Sequence, residues 1–304
     1  MIISKTPFRI SFLGGGSDYP EWYMKNGGQV LSTTIDKYCY ISIRKLPPFF
    51  PHKHRIVYSK VETVEKIDEI QHPVVREILR EQGYSKIGLE IHHDGDLPAR
   101  AGLGSSSTFT VGLINSICAL KKEKVSKEFL AQYAIDIEQN ILKENVGSQD
   151  QIAAAYGGLN KIKFGSSGNY EVVPILISDA KKKLFNSHLM LFFTGITRYA
   201  SQIVSEQMKN LPQNTKSIEF IQSLVDEGVA ILENEENILD FGKLLHEAWQ
   251  HKKSLSSKIS TSVIDEHYEA ALNAGAAGGK LLGAGGGGFL LLFVEPEHQE
   301  KVKE

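Results

Sequence analysis

The sequence has few of the features that would place it outside ordinary globular proteins. Two of its 304 residues are cysteines, Cys39 and Cys118, which is too few for a disulfide framework and favours a reducing cytosol. No apolar run approaches the ~18 residues that span a bilayer, and the first ten residues include Lys5 and Arg9 instead of the apolar stretch of a signal peptide. The 34 basic and 36 acidic residues nearly cancel, which disfavours nucleic-acid binding through bulk positive charge. We therefore expect a cytoplasmic protein that binds neither membranes nor nucleic acid.

Glycine, by contrast, is plentiful, and its 27 residues cluster where a chain turns tightly or approaches a ligand. This length suggests about two domains at roughly 100–200 residues each. Predicted strands and helices follow one another in blocks, which favours two α+β domains over an alternating parallel sheet. The best boundary falls near Asn186, after a run of lysines, so we expect an N-terminal domain over 1–185 and a C-terminal domain over 186–304.

The segment Pro98–Ser107, PARAGLGSSS, has the strongest functional pattern in the chain. Its two glycines let the backbone approach a ligand, and its three serines stand where a helix running to Leu120 begins. Because the amides and dipole of a helix N terminus bind anions, this pattern predicts a phosphate loop. A serine hydroxyl there is also placed to touch a phosphate-bound Mg²⁺. The alternative is a serine N-cap after a glycine turn, for which one serine would suffice.

Two acidic residues on predicted helices each have a functional and a structural interpretation. Glu138 lies at the edge of an apolar helix stripe, where a desolvated carboxylate needs a cation or hydrogen-bond donors. The alternative is a solvated glutamate on the helix surface. Asp150 stands in the first turn of a short helix, where Ser148 and Gln151 are expected to form a capping box. It would act on a substrate hydroxyl or only complement the helix dipole.

Arg9 and Asp18 flank the first glycine cluster, Gly14–Gly16. An arginine inside an apolar strand must turn out of the core or find a partner. Asp18 is placed either to cap the helix that begins near Pro20 or to bind a hydroxyl. Neither position is decisive by itself.

Other patterns fail on spacing or context. Gly283–Gly288 matches the dinucleotide-binding spacing, but that fingerprint needs a helix after it, and the apolar run from Phe289 predicts a strand. His246 and His251 stand one residue too far apart to bind zinc from one helix face. The remaining clustered histidines lack a carboxylate partner in register, and we interpret them as surface residues: His52, His54, His92 and His93.

Together these segments resemble the GHMP kinase superfamily, which includes galactokinases, homoserine kinases and mevalonate kinases. The superfamily has three motifs, and matches to all three occur in order: Pro7–Asp18, Pro98–Ser107 and Gly283–Gly288. The first stretch, with Leu31–Tyr38 and Gly147–Gln151, is similar to bacterial D-glycero-D-manno-heptose 7-phosphate kinases. The resemblance implies a ribosomal-protein-S5-like N-terminal half and a ferredoxin-like C-terminal half.

The resemblance also implies a set of site residues and a C-terminal departure. Such kinases usually continue past the helix that begins near Pro296 with a last strand, so we expect the C-terminal sheet to be incomplete. Asp150 matches the catalytic aspartate and Arg9 the arginine beside it. The Mg²⁺ ligands are Ser106 and Glu138. The ATP-binding residues are Pro98, Gly102, Leu103, Gly104, Ser105, Ser106 and Ser107. The residues expected to bind substrate are Gly15, Gly16, Asp18, Arg198, Gly285, Gly286 and Gly287.

The implied reaction, with ATP and Mg²⁺, phosphorylates the anomeric hydroxyl of D-glycero-D-manno-heptose 7-phosphate to the 1,7-bisphosphate, for GDP-heptose synthesis. Arg198 is the cation expected at the 7-phosphate, because Gly195 permits a turn, Thr197 can cap a helix, and an arginine in a first turn opposes the helix dipole. The alternative is a solvent-exposed arginine without a ligand. The alternatives are a kinase for fucose or galactose, a superfamily decarboxylase, and a sugar sensor without turnover. The protein is expected to be a monomer or a homodimer.

Overall fold

The computed structural model describes residues 1–196, 204, 206, 210, 213–234 and 237–304. The strands are β1 (Ile2–Leu13), β2 (Gly28–Lys45), β3 (His54–Val57), β4 (Val61–Val64), β5 (Leu89–Gly95), β6 (Leu159–Phe164), β7 (Tyr170–Pro174), β8 (Leu189–Phe193), β9 (Ala276–Leu281) and β10 (Phe289–Val294). The helices are α1 (Pro20–Asn26), α2 (Pro73–Glu81), α3 (Ser105–Leu120), α4 (Lys127–Ile135), α5 (Gln149–Tyr156), α6 (Asp179–Ser187), α7 (Thr215–Glu233), α8 (Leu239–Ser254), α9 (Ser262–Asn273) and α10 (Gln299–Lys303). The α+β prediction is confirmed. Within these described ranges, no helix combines the length and apolar character that crossing a bilayer requires.

The chain divides into two compact units, each assembled from several segments. Unit 1 comprises Met1–Phe8, Thr34–Ala99 and Gly104–Gly157, and unit 2 comprises Arg9–Thr33, Arg100–Leu103 and Gly158–Glu304. Four stretches pass from one unit into the other along the chain, namely β1, β2, the predicted phosphate loop and the turn at Gly157 and Gly158 between α5 and β6. The domain boundary expected near Asn186 stays a prediction.

Unit 1 combines a sheet with a buried helix. Its strands lie in the order β4, β3, β5 and the second half of β2. Strand β2 runs antiparallel to β5, with Ile43 opposite Ile91, whereas β3 and β5 are parallel. Helix α3 is apolar around most of its circumference and is buried over most of its length, as expected for a helix inside a core. This helix gives the end of the phosphate loop a rigid support.

Unit 2 contains two pieces of sheet and an aromatic core. The first half of β2 pairs with β6, which forms a hairpin with β7. A separate antiparallel sheet has the order β8, β10, β9. Phe12 meets Phe185 and Phe241 edge to face, each at 5.4 Å between ring centroids, and such pairs contribute about 0.5–1.5 kcal/mol beyond burial. Strand β10 follows the glycine run directly, which confirms that Gly283–Gly288 is not a dinucleotide fingerprint.

The prediction of surface histidines without carboxylate partners is wrong for His54 and His92. His54 is fully buried in β3, and Nε2 of His92 lies 3.0 Å from Oε1 of Glu90. Because residues two apart on a strand share a face, the alternation along β5 was the signal for this pair. Burial raises the pKa of Glu90, but hydrogen bonds from His92, Arg55 and Arg44 outweigh it and hold the pKa at about 2.

Burial of His54 makes the stability of the fold sensitive to acid. In the described part of the chain neither ring nitrogen has a hydrogen-bond partner. Burial, followed by the nearby Lys53, lowers the pKa of His54 from 6.5 to about 4. The unfolded chain therefore takes up this proton at a higher pH than the folded chain, so the free energy of unfolding falls as the pH drops from about 6.5 to 4. The loss is about 2 kcal/mol at pH 5 relative to neutral pH.

We expect His54→Leu to lose less stability than the wild type between neutral pH and about pH 5. Urea denaturation of both proteins at the two pH values measures the difference. His267→Leu, at an exposed position of α9, is the matched control and should behave as the wild type does. An equal pH dependence in His54→Leu and the wild type would show that His54 is not the acid-sensitive group.

Candidate active site

The predicted phosphate loop leads directly into α3, and this helix begins at Ser105. Gly102 and Gly104 have φ values of 81° and 73°, a region that glycine enters without strain. Gly104 is the N-cap of α3 and has no side chain, so the alternative of a serine N-cap is wrong. Pro98 and Leu103 lie in the loop, and Ser105 opens the helix. The helix dipole and the first-turn amides at this end favour an anion such as phosphate.

Three glycine-bearing segments of the sequence meet in unit 2. Nη1 of Arg9 donates to the carbonyl of Gly102 at 2.7 Å, and the amide of Phe289 donates to the carbonyl of Ala101 at 3.1 Å. A Cβ on Gly102 would lie 2.5 Å from the carbonyl oxygen of Leu282, so only glycine allows this approach. We call the residues Arg9–Asp18, Ala101–Leu103 and Leu281–Gly288 the motif junction.

Arg9 and Asp18 are buried side chains of the motif junction, 4% and 2% exposed. Arg9 has therefore found partners inside the fold instead of turning out of the core. Oδ1 of Asp18 accepts a hydrogen bond from the amide of Gly16 at 2.9 Å. Tyr19 is the N-cap of α1, so the interpretation of Asp18 as a helix cap is wrong. Gly15 and Gly16 lie in the turn between β1 and α1, which places the expected substrate residues of the first motif together.

Lys280 is a charged residue of β9 that the sequence reasoning missed. It is 4% exposed, and its Nζ donates to the carbonyl of Phe12 at 2.7 Å. Burial, followed by Lys252 and Arg9, lowers the pKa of Lys280 well below its ordinary value, while Asp18 acts in the opposite direction. A lysine inside an otherwise apolar strand, three positions before the first glycine of the run, was the available sequence signal.

The glycine run Gly283–Gly288 forms the turn between β9 and β10. The amide of Gly286 donates to the carbonyl of Ile259, and the amide of Gly288 donates to that of Ile196, both at 2.8 Å. The amide of Gly286 is thus already bonded within the chain. The substrate role expected for Gly285–Gly287 stays a prediction.

Glu138 belongs to unit 1 and is fully buried in a π-helical turn, Asp136–Ile141. Such wide turns are frequent at functional sites. Its carboxylate accepts hydrogen bonds from Oγ of Ser107 at 2.8 Å, Oγ1 of Thr110 at 2.6 Å and Nε2 of Gln151 at 2.6 Å. Desolvation raises the pKa of Glu138 to about 7, against the lowering by these three bonds. The solvated-glutamate interpretation is wrong, and the described donors are all neutral, so they leave the carboxylate charge unbalanced.

Gln151 explains why the expected capping box does not form. Its side-chain amide binds Glu138 instead of reaching back along the helix, and Ser148 makes no side-chain cap. Oγ of Ser148 instead accepts from Nε2 of Gln139 at 3.0 Å. A buried carboxylate without hydrogen-bond donors destabilises the fold more than an uncapped helix end does, and the side-chain amide of Gln151 therefore binds Glu138. Helix α5 still begins at Gln149, and Asp150 lies half-buried in its first turn, as predicted.

Of the loop serines, Ser107 contacts Glu138, whereas Ser106 is exposed and its carbonyl accepts from Thr110. Residues three apart on a helix share a face, which is why Ser107 and Thr110 both reach the carboxylate. The assignment of Ser106 as a metal ligand stays a prediction. Arg198 lies outside the described residues.

The sequence is similar to those of several known proteins. Two family models match the chain, GHMP kinases N terminal domain over residues 69–158 and GHMP kinases C terminal over residues 229–304. A D-glycero-alpha-D-manno-heptose 7-phosphate kinase from Campylobacter jejuni is 30% identical over 97% of this chain and 90% of that protein. A bifunctional fucokinase/GDP-fucose pyrophosphorylase from Arabidopsis thaliana is 28% identical over 98% of this chain and 30% of its own length. The crystal structure of a D-glycero-D-manno-heptose 1-phosphate kinase from Bacteroides thetaiotaomicron has the same fold, with a TM-score of 0.79 at 24% identity over 99% of this chain and 91% of that one.

Proposed function

The chain belongs to the GHMP kinase family, and on this premise we propose that it phosphorylates the anomeric hydroxyl of D-glycero-D-manno-heptose 7-phosphate. Family membership makes it an ATP-dependent phosphotransferase. The product would be the 1,7-bisphosphate. In the cytoplasm it would feed the synthesis of GDP-heptose, a precursor of surface polysaccharide. The observation that carries the choice of sugar is the 30% identity to the Campylobacter jejuni enzyme over 97% of the chain.

The phosphate loop supports ATP binding. Phosphoryl transfer depends mainly on positioning and on stabilising charge, because its transition state is loose and in line. The amides and dipole at the start of α3 suit the phosphates. The guanidinium of Arg9 is held by a hydrogen bond to the carbonyl of Gly102. We assign it to stabilise the negative charge that develops in the transition state.

The position of Asp150 supports a role at the hydroxyl that accepts the phosphoryl group. Its carboxylate lies half-buried in the first turn of α5. The helix holds it in a fixed position, because α5 packs against α3 and α4 within unit 1. We assign it to orient the anomeric hydroxyl and to accept its proton. Asp18, bonded to the amide of Gly16, is assigned to another sugar hydroxyl.

The residues around Glu138 fit a magnesium ion. A carboxylate has about four acceptor positions, and three of those on Glu138 are used by Ser107, Thr110 and Gln151. The remaining position is an oxygen ligand of the kind that Mg²⁺ prefers, and the hydroxyl of Ser106, the residue before Ser107, is another. A bound Mg²⁺ would supply charge neutralisation for the nucleotide phosphates. We assign Glu138 and Ser106 as its protein ligands, and Ser107 as the donor that orients Glu138.

The choice of sugar is tested by ATP consumption with a panel of acceptors. The panel contains the 7-phosphorylated heptose, free heptose, fucose, galactose and mevalonate. We expect the highest kcat/KM with the heptose 7-phosphate. A higher value with free fucose would favour the alternative that the Arabidopsis thaliana relative supports. Turnover that releases carbon dioxide would indicate a decarboxylase, and ligand binding without ATP consumption would indicate a sensor.

We expect Arg198→Ala to raise the KM for the 7-phosphorylated heptose about 10-fold or more, since a charge-assisted hydrogen bond is worth about 1.5–3 kcal/mol. The KM for ATP should change little, because the role concerns the sugar phosphate alone. Steady-state kinetics with each substrate varied in turn separates the two constants. Equal effects on both KM values, or none, would remove Arg198 from the sugar site.

A further inference from the structure

Two neighbouring side chains of the π-helical turn, Glu138 and Gln139, are bonded to side chains on either side of Asp150. Oε2 of Glu138 accepts a hydrogen bond from Nε2 of Gln151 at 2.6 Å, and Nε2 of Gln139 donates to Oγ of Ser148 at 3.0 Å. Asp150 lies between Ser148 and Gln151 in the sequence. The π-helical turn therefore holds the start of α5 at two points, and we call these two hydrogen bonds the α5 clamp.

The α5 clamp is protected from water on the side of Gln151 and Ser148. Glu138, Gln151 and Ser148 are all buried, so bulk water competes little for their hydrogen bonds. A bond to an ionised carboxylate is also stronger than one between neutral groups. Nε2 of Gln139 makes a further bond, to the carbonyl of Val146 at 3.0 Å, which ties the segment before α5 to the same turn.

The first turn of α5 depends on this clamp for its placement. Helix α5 has no side-chain N-cap, which is the usual means of fixing a helix start. The side chains that would form a capping box, Ser148 and Gln151, are bonded to the π-helical turn instead. Because neighbouring Cα atoms stay 3.8 Å apart, a shift of Gln151 also moves Asp150.

The other described donors to Glu138 lie on a different helix. Ser107 and Thr110 belong to α3 and bond to the same carboxylate, at 2.8 Å and 2.6 Å. Of the donors that the structure describes, Gln151 alone joins Glu138 to α5. Support of Glu138 and placement of Asp150 are therefore separable by substitution.

We propose that Gln151 is a positioning residue that sets Asp150 relative to the carboxylate of Glu138, and that Gln139 supports the same placement through Ser148. The clamp would then fix the group that accepts the hydroxyl proton relative to a ligand of the phosphate-bound Mg²⁺. The inference rests on the roles proposed above for Asp150 and Glu138, but not on the identity of the sugar. Phosphoryl transfer depends on such placement, and a misplacement of about 1 Å can cost about 10²-fold in rate.

Three substitutions separate the two effects. Thr110→Val removes a donor to Glu138 that is not on α5, Gln139→Met removes the clamp contact that does not involve Glu138, and Gln151→Met removes both kinds of support. Calorimetry measures the dissociation constant for the magnesium complex of a non-hydrolysable ATP analogue, and steady-state kinetics measures kcat with all substrates saturating. We expect Thr110→Val to raise only the dissociation constant, Gln139→Met to lower only kcat, and Gln151→Met to do both, each about 10-fold.

Hydrogen–deuterium exchange of the free enzyme adds a measurement that needs neither metal nor turnover. The amides of residues 148–156 should exchange faster in Gln139→Met and Gln151→Met than in the wild type, and at the wild-type rate in Thr110→Val. Gln132→Met, at an exposed position of α4, is the matched control and should change none of the three quantities.

A wild-type kcat in Gln151→Met would overturn the proposal, because Gln151 would then support Glu138 alone. Equal losses of kcat in Thr110→Val and Gln151→Met would also overturn it, since any damage to the buried cluster would then have the same effect. If Gln151→Met does not fold, Gln139→Met decides, and a wild-type kcat in that variant would overturn the proposal. Failure of the underlying roles is distinguishable, because it is seen in Asp150→Asn and Glu138→Gln.

Discussion

Asp150→Asn is expected to lower kcat by about 10²-fold or more, the effect of removing a group that accepts a proton in the transition state. Asparagine has the size and hydrogen-bonding ability of aspartate but no useful basicity. The variant should fold, because α5 is held by Gln151 and by packing inside unit 1 rather than by a cap at Asp150. Steady-state kinetics with saturating ATP and sugar phosphate measures the change.

The competing interpretation of Asp150 is that it only complements the dipole of α5. Asp179 of α6 provides the matched control, because it is an exposed aspartate in the first turn of another helix. Both substitutions should cost a similar 0.3–1 kcal/mol or so in stability, but Asp179→Asn should keep full activity. A near-normal kcat in Asp150→Asn would restore the dipole interpretation.

Glu138→Gln is expected to raise the Mg²⁺ concentration for half-maximal activity about 10²-fold, since even groups that only support a metal ligand change metal affinity by 10–100-fold. The variant removes the charge but keeps one oxygen, which can accept from Ser107 and Gln151, while its amide group can donate to Oγ1 of Thr110. Activity titrations with Mg²⁺ at fixed total ATP measure the shift. Asp136→Asn, in the same π-helical turn and bonded to Asn140, should leave the titration unchanged.

Thermal unfolding, compared with the Mg²⁺ titration, distinguishes a metal-binding role of Glu138 from a purely structural role. A fully buried carboxylate whose pKa is raised by desolvation disfavours the folded state at neutral pH. Glu138→Gln should therefore be no less stable than the wild type in thermal unfolding without Mg²⁺. A normal Mg²⁺ titration would identify Glu138 as a structural group that organises Ser107, Thr110 and Gln151.

Features that depend on neighbours in the sequence were predictable. The glycines of Pro98–Ser107, the start of α3 and the placement of Asp150 in the first turn of α5 follow from backbone preferences and from helix ends, which act over a few residues. The strand after Gly283–Gly288 follows from an apolar run for the same reason. These local rules were enough to point to a phosphate loop and an α+β fold.

Features that depend on distant partners were decided by the tertiary structure. Glu138 is buried because Ser107, Thr110 and Gln151 converge on it from two other helices, and that convergence also removed the expected capping box. Lys280 faces Phe12 across 268 positions of sequence. The spacing of residues along the sequence does not predict such contacts, because the burial and pairing of a charge depend on which segments the fold packs together. The sequence by itself therefore determined the glycine-rich loops that are predicted to bind phosphate, while tertiary packing decided which charged side chains are buried near them.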